Sequence, residues 1–385
     1  MKNIKNVCLL AVILMFTAFI IERNRIKITP KEETRGIYVS YIEHTNHLSN
    51  KNKNDIKSEI KNMIKTIKEY KFNLVIIQVR PFSDSIYNSK IFPTSWTVAK
   101  AEGEELEIDI LDYFIKIAHQ NDIKVHAWVN PYRISNTTDI SKIDEENPAY
   151  KWLNTNNVKV ITDKGIYYNP ASSEVIELIV DGIEEIITNY DVDGIHLDDY
   201  FYPDDTIDIN DYEQYKNEIS LSDYRLKNTN KLIKAIYQKV KEVDSNILFG
   251  ISPEGNIENN YNKNYADVKT WLQEEGYIDY IMPQIYYGFF NEAKPFIETV
   301  NEWHSLIKND VTLIPALALY KTGTIVEYAK SGKEEWINNS NTITNQIKII
   351  RNIEEVAGYS LFRYDYLLKT DNTNLILEQK NLKKL

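Results

Sequence analysis

Two adjacent carboxylates, Asp198 and Asp199, follow a short apolar stretch near the middle of the chain. In residues 194–197, apolar side chains alternate with small or polar ones, and this period of two predicts a β-strand. Three aromatic residues and a proline follow immediately, at 200–203. Paired carboxylates at the end of a buried strand can serve as a proton donor and as a charge that stabilises a cationic transition state.

The other apolar segments that predict strands also end in polar or aromatic residues. Carboxylates, amides and aromatic rings at one rim suit sugar hydrolysis, because acids protonate the leaving oxygen, rings stack on sugar faces and amides bind hydroxyl groups. The candidates at these ends are Glu43, His44, Arg80, Asp84, His126, Trp128, Asn130, Tyr132, Arg133, His196, Tyr202, Glu254, Gln284, Tyr286, Tyr320, Lys321, Arg363 and Asp365.

Eight apolar strands alternate with amphipathic helices along the chain. The pattern predicts strands at 36–41, 73–79, 124–129, 193–198, 247–252, 278–285, 312–319 and 358–363. Eight such units predict a single (β/α)8 TIM barrel with enlarged loops over residues 35–370, followed by a C-terminal tail at 371–385. In a barrel the loops after the strands form the active face. The alternative is a doubly wound open sheet, which favours a glycine-rich first turn that residues 41–44 (YIEH) do not provide.

The composition is that of an ordinary globular protein. The chain has 385 residues, of which 43% are hydrophobic and 26% are charged, and its formal net charge is −11. An acidic surface argues against nucleic acid as a partner. Cys8 is the only cysteine, which excludes a disulfide between two cysteines of this chain. We expect no cofactor.

The N-terminal residues have the pattern of an export signal. Lys2 and Lys5 precede an apolar run at 7–21, a pattern that predicts a signal anchor or a cleaved signal peptide at 1–22, with a linker at 23–34. A retained anchor is favoured, because no clear cleavage site follows the run. We therefore expect the protein at the cell membrane with its domain on the outer side, or secreted if the segment is cleaved.

The strand motifs resemble those of the glycosyl-hydrolase-like ten family, a group of exported bacterial (β/α)8 proteins. The matching segments are 35–39 (RGIYV), 78–81 (QVRP) with Asp84, 126–131 (HAWVNP), 193–203, 251–253 (ISP), 279–286 (DYIMPQIY) and 315–321 (PALALYK). The resemblance covers about residues 34–365 and implies an activity on glycan strands of peptidoglycan stripped of their stem peptides. Glu254 departs from the family pattern, in which many members carry an apolar residue.

Strand parity favours Asp198 as the essential carboxylate, a nucleophile or transition-state stabiliser if its side chain points into the barrel mouth. The second role is that of the acid that protonates the leaving oxygen. For this role, Glu254 is weighed against Asp199, Asp84 and Glu43. Such an acid needs a pKa raised by burial or by a neighbouring carboxylate.

The remaining candidates are assigned to substrate binding, each with a structural alternative. Trp128, Tyr200, Tyr202 and Tyr286 are sugar platforms or barrel packing, and Arg80 binds a lactyl carboxylate or pairs with an acid of the rim. Asn130 and Gln284 contact hydroxyl or N-acetyl groups, and Asp84 and His126 belong to the same rim. His196 orients Asp198 or shuttles protons. A metal-binding interpretation of His196, Asp198 and Asp199 has no further cluster to support it.

The sequence thus favours an extracytoplasmic glycoside hydrolase that acts on a cell-wall polysaccharide, with peptidoglycan glycan as the expected substrate. Two other classes stay open at this point. One is a glycan-binding barrel without catalytic activity, and the other is a metal-dependent hydrolase.

Overall fold

A parallel β-sheet forms the centre of the structure, a computed structural model that describes residues 32–199 and 201–385. Its strands are β1 (Thr34–Val39), β2 (Leu74–Arg80), β3 (Lys124–Val129), β7 (Gly194–Leu197), β8 (Leu248–Ile251), β9 (Tyr280–Ile281), β10 (Thr312–Leu313), β11 (Ala316–Ala318) and β12 (Gly358–Phe362). A small antiparallel sheet adds β4 (Arg133–Ser135), β5 (Val158–Ile161) and β6 (Gly165–Tyr168). Strands β5 and β6 form an antiparallel hairpin in which Ile161 pairs with Gly165.

The parallel sheet curls so that its two edge strands, β10 and β11, are separated by only two residues of the chain. Strand β10 pairs with β9, whereas β11 pairs with β12, and β12 pairs in turn with β1. An isolated bridge joins Gln284 to Ala316, and the Ile314 amide donates to the Ile281 carbonyl oxygen at 2.9 Å. The prediction of a TIM-barrel-like α/β fold is therefore confirmed.

Helices connect the parallel strands. They are α1 (Tyr41–His47), α2 (Lys53–Glu69), α3 (Ile110–His119), α4 (Ser173–Asn189), α5 (Ile209–Tyr212), α6 (Leu221–Val243), α7 (Ile257–Asn262), α8 (Val268–Gln273), α9 (Phe296–Leu306), α10 (Glu335–Asn338), α11 (Thr342–Ile350) and α12 (Thr373–Leu382). Many begin at a side-chain cap: Asn52, Asp109, Ser172 and Ser220 each accept a hydrogen bond from the first turn of the following helix. Such caps satisfy backbone amides that have no partner within the helix.

The core lies between the outer face of the curled sheet and the helices. In α2 the predicted apolar face is fully buried, as are Ile77 of β2 and Ile195 of β7. Burying such a side chain stabilises the fold by about 1.5–3 kcal/mol. A second, smaller cluster that includes Tyr38, Ile76 and Met282 fills the inside of the sheet.

Helix α1 corrects the expectation for the first strand end. Ser40 accepts the Ile42 amide, and the Glu43 carboxylate accepts the Ser40 amide, so the helix begins where the strand was predicted to continue. As a result Glu43 and His44 are buried in a helix instead of standing on a loop at the rim.

The structure describes the predicted C-terminal tail but not the predicted N-terminal anchor. The predicted anchor at 1–22, most of the linker and Tyr200 lie outside the described residues. Within residues 32–199 and 201–385, no helix is both long and apolar enough to cross a bilayer. The segment expected as a C-terminal tail contains α12, in which Glu378 accepts the backbone amides of Ile343 and Thr344 on α11.

Candidate active site

A cavity of about 290 Å³ opens at the carboxyl ends of the parallel strands. It brings together residues that sequence reasoning selected from three strand ends and residues that it did not select. The sequence candidates that line it are Trp128, Arg133, Asp198, Asp199, Gln284 and Tyr286. The other lining residues are Tyr38, Ser40, Tyr41, Ile42, Gln78, Ser252 and Phe362.

Asp198 is held by a chain of amides. The side-chain amide of Asn130 donates to Asp198 Oδ2 at 2.6 Å, and the side-chain oxygen of Asn130 accepts from the amide of Gln78. The oxygen of Gln78 accepts in turn from the backbone amide of Tyr41 at 2.9 Å. Because Asn130 and Gln78 are buried and each amide is engaged at both ends, the carboxylate of Asp198 has a fixed orientation.

Asp199 has the properties of a proton donor. It lines the cavity beside Asp198, and burial, followed by the charge of Asp198, raises its pKa to about 7. Two adjacent carboxyl groups do not both ionise easily, because each negative charge disfavours the other. A carboxylic acid that keeps its proton near neutral pH can protonate a leaving oxygen, so the pair offers an acid next to an oriented carboxylate.

Beneath these carboxylates, the inside of the sheet contains a buried series of rings linked by hydrogen bonds. The hydroxyl of Tyr280 lies 2.8 Å from His126 Nδ1 and 3.0 Å from His196 Nδ1, and the hydroxyl of Tyr38 lies 3.2 Å from His196 Nε2. Burial lowers the pKa of His126 to about 4 and that of His196 well below its usual value. Both histidines are therefore neutral, and neither lines the cavity.

Aromatic rings form the wall of the cavity. Trp128 and Tyr38 meet edge to face at 5.6 Å, and Phe362 packs against Tyr38 and Tyr286 at 5.7 and 5.9 Å. The indole N–H of Trp128 is buried without a hydrogen-bond partner among the described residues. Rings of this kind present flat apolar faces to a ligand, while polar groups between them fix its orientation.

A second cavity of about 340 Å³ shares Gln284 and Tyr286 with the first. Glu254 lines this second cavity, where its carboxylate accepts from the side-chain amides of Asn259 at 2.6 Å and Asn264 at 3.3 Å. The structure thus places Glu254 beside the first cavity and not among the residues that line it.

Lys321 also lines the second cavity, and no carboxylate among the described residues pairs with it. Its ammonium group donates to the Tyr286 carbonyl oxygen at 2.5 Å and to the Tyr328 hydroxyl, and it lies 5.7 Å from the centre of the Tyr320 ring. Burial lowers its pKa to about 8.

Three of the predicted binding residues lie away from both cavities. Arg80 is buried against Phe92, at 4.4 Å from its ring, and against Gly182 of α4. Asp84 is fully buried under the loop after β2, and burial raises its pKa to about 7. Tyr202 packs against Tyr265 at 5.2 Å, in a separate cluster near the antiparallel sheet.

Glu43 is committed to the fold. Its carboxylate pairs with the guanidinium of Arg363 and accepts the backbone amide of Asp365 at 3.2 Å. The side chain is fully buried, so the geometry does not favour Glu43 as the acid.

Sequence reasoning did not assign a role to Gln78, Tyr38 or Tyr280. Each has an inward-facing position on its strand, and the period of two places Gln78 on the same face as Ile76. The sequence does contain one indication of the role of Gln78: it is the single polar residue in an otherwise apolar strand (LVIIQV). A buried amide requires hydrogen-bond partners, so such a residue is expected to take part in a polar network. No group of three or more His, Cys, Asp or Glu side chains suited to a metal ion occurs in the part of the chain that the structure describes.

The chain is similar to two proteins that are named glycosyl hydrolases. It is 30% identical over 348 residues to glycosyl hydrolase YngK of Bacillus subtilis (strain 168), covering 83% of this chain and 67% of that protein. It is 31% identical over 331 residues to glycosyl hydrolase DigH of Escherichia coli (strain K12), covering 77% of this chain and 73% of that protein.

Solved structures share the fold at low sequence identity. The glycoside hydrolase domain of PgaB (BpsB) from Bordetella bronchiseptica superposes with a TM-score of 0.58 at 13% identity, covering 92% of this chain and 98% of that one. The endo-1,4-beta-mannanase of Rhizomucor miehei gives 0.52 at 13% identity, covering 92% and 94%. The family profile described as Glycosyl hydrolase-like 10 matches residues 33–336, which is most of the chain. With this match and the two relatives, the resemblance is confirmed, and the chain belongs to the glycosyl hydrolase-like 10 family.

Proposed function

We propose that this protein is an extracytoplasmic glycoside hydrolase that cleaves peptidoglycan glycan strands. The observation that carries the proposal is the pairing, in one aromatic-walled cavity, of an oriented carboxylate with a neighbouring carboxyl group that keeps its proton near neutral pH. Membership of a glycosyl hydrolase-like family supports the reaction class.

The two carboxyl groups have separate roles in the proposed reaction. Asp199 donates its proton to the glycosidic oxygen as the bond to the anomeric carbon breaks. Asp198 stabilises the positive charge that develops on the sugar ring. A water molecule then adds to the anomeric carbon and gives its proton to the carboxylate of Asp199. Asn130 positions Asp198, and Glu254, which its two asparagine partners hold in the adjoining cavity, is assigned to substrate binding.

Two features support peptidoglycan glycan as the substrate. Glycan strands without stem peptides carry lactyl carboxylates, and Lys321 presents a cation without a carboxylate partner in the cavity adjoining the paired acids. A charge-assisted hydrogen bond of this kind is about twice as strong as a neutral one. The apolar run at 7–21 supports an extracytoplasmic location, where this polymer lies.

The test is to incubate the full chain with intact sacculi and with sacculi stripped of stem peptides by an amidase, and to identify product ends by mass spectrometry. We expect reducing ends from the stripped sacculi. Asp198→Asn should abolish their release while leaving thermal unfolding nearly unchanged.

The matched control is Asp211→Asn, because Asp211 accepts from the amide of Asn169 as Asp198 does from Asn130, but lies outside the cavities. This control should retain activity. Release of reducing ends by Asp198→Asn at the wild-type rate would refute the assignment. Retention of glycan by the wild type without any fragments would instead indicate a non-catalytic glycan-binding barrel.

A further inference from the structure

A third cavity, of about 650 Å³, lies between the long loops that follow β2 and β3. Its volume falls within the range of about 300–1,000 Å³ that is typical of ligand pockets. Loops that are longer than about 15 residues and lack their own secondary structure are usually functional. The connection from 81 to 109 is such a loop, and the proposed hydrolysis does not use the cavity that it helps to form.

This cavity lies next to the active-site cavity. One strand, β4, and one row of aromatic rings connect the walls of the two cavities. Arg133 of β4 lines the active-site cavity, and the next two residues, Ile134 and Ser135, line the larger one. Phe82 packs against Tyr41 of the active-site cavity at 5.4 Å and against Trp96 of the larger cavity at 5.5 Å. The two cavities are therefore neighbours on the same side of the paired carboxylates.

The walls of the cavity are fixed by buried hydrogen bonds between the two loops. Glu102 accepts the Asp144 amide at 2.8 Å and the side-chain amide of Asn147 at 2.6 Å. Asn147 also bonds Ser83, accepting its hydroxyl at 3.0 Å and donating to its carbonyl oxygen at 2.8 Å. A pre-formed pocket loses less conformational entropy on binding than a pocket that must order first.

The chemistry of the lining suits an uncharged sugar. Trp96 is 36% exposed and offers a large apolar face, and Ser135, Asn136 and Thr137 supply hydroxyl and amide groups nearby. The charged residues of the lining are mixed in sign: Lys100 and Lys142 against Glu102, Asp144 and Glu145. Such a balance favours an uncharged sugar of the strand over one that carries a lactyl carboxylate.

We propose that this cavity is a distal subsite that binds neutral N-acetylhexosamine units of a glycan chain extending from the active-site cavity, with Trp96 as the stacking platform. The proposal rests on the proposed function. It makes binding depend on chain length: a long strand occupies both cavities, whereas a short fragment occupies the active-site cavity alone.

The test measures binding to the full chain carrying Asp198→Asn, so that the glycan stays intact. The probes are peptide-free glycan strands from amidase-treated sacculi, fractionated into long strands and tetrasaccharides, and the readout is titration calorimetry. Trp96→Ala should weaken binding of long strands about tenfold and leave tetrasaccharide binding unchanged. The control Tyr150→Ala removes an exposed ring from the loop after β3 that does not line the cavity, and it should change neither.

The subsite is overturned if Trp96→Ala binds long strands as Tyr150→Ala does, or if it loses affinity for both lengths equally. In the active chain, the same substitution should raise KM for long strands without lowering kcat on tetrasaccharides. Failure of the proposed function is distinguishable: the wild type would then cleave neither length, while the length-dependent loss of binding at Trp96 would still be measured.

Discussion

Replacing Asn130 by alanine tests whether the chain of amides orients Asp198. The substitution removes a charge-assisted hydrogen bond to Asp198, which contributes about 1.5–3 kcal/mol, and a neutral bond from Gln78, which contributes about 1 kcal/mol. Water in the adjacent cavity can satisfy part of what remains, so we expect a loss of about 3 kcal/mol of stability. For a chain of this length, that loss lowers Tm by about 4 °C.

The effect on turnover should exceed the effect on binding, because a misplaced reacting group costs about 100-fold in rate. We expect kcat to fall by about that factor, with a small change in KM. The matched control is Asn169→Ala, which removes an amide donor to the carboxylate of Asp211 at 2.8 Å, away from the cavities. It should lower Tm by a similar amount and leave kcat unchanged.

A double-mutant cycle with Gln78→Ala isolates the connection between the two amides. If Gln78 acts through Asn130, the double variant should lose less stability and less log kcat than the sum of the two single variants. We expect this difference to correspond to a coupling energy of about 1 kcal/mol. Strict additivity, or a kcat of Asn130→Ala equal to that of Asn169→Ala, would contradict the inferred orientation of Asp198.

Three further predictions concern titratable groups. Because Asp199 must be protonated to act as the acid, kcat/KM should fall about tenfold per pH unit above pH 7, and Asp199→Asn should remove this limb and lower the rate about 10²–10⁴-fold. Asp84 has a folded pKa, about 7, above its unfolded value, so its protonated form stabilises the fold at low pH, and this contribution is lost as the pH rises through 7. Asp84→Asn should therefore raise stability at pH 8 by roughly 4 kcal/mol at most and leave it unchanged near pH 4, as chemical denaturation at both pH values would check. Lys321→Met should raise KM about tenfold on glycans that bear lactyl carboxylates and leave KM on neutral chitin oligosaccharides unchanged, and an equal rise on both would assign Lys321 to the fold.

The sequence predicts the strands of this fold well because their apolar runs are long and regular. It predicts their ends less well. The segment 40–43 (SYIE) is a capping box that starts α1, and its serine and glutamate at that spacing could have been recognised as such. Strand β9 was expected over 278–285 but spans only Tyr280–Ile281, because Pro283 has no amide to donate to the ladder.

For the site, period-two alternation selected Asp198, and position at a strand end selected Trp128 and Gln284; all three line the active-site cavity. The same reasoning does not locate Arg80. The pairing of β2 with β3 shifts register between Gln78 and Arg80, and the arginine then points toward α4. A shift of one residue reverses the face on which a side chain lies, and nothing in the local sequence reports it.

The neutral interior of the sheet explains why an aspartate at its mouth can hold a proton. A charged histidine directly beneath the cavity would stabilise both carboxylates and lower the pKa of Asp199. His126 and His196 instead share the hydroxyl of Tyr280 in a buried network, and burial keeps both neutral. No positive charge of these histidines then offsets the repulsion between Asp198 and Asp199. This repulsion adds to the effect of burial in raising the pKa of Asp199. The histidines thus contribute to the proposed chemistry by remaining uncharged, although neither contacts the cavity in which it takes place.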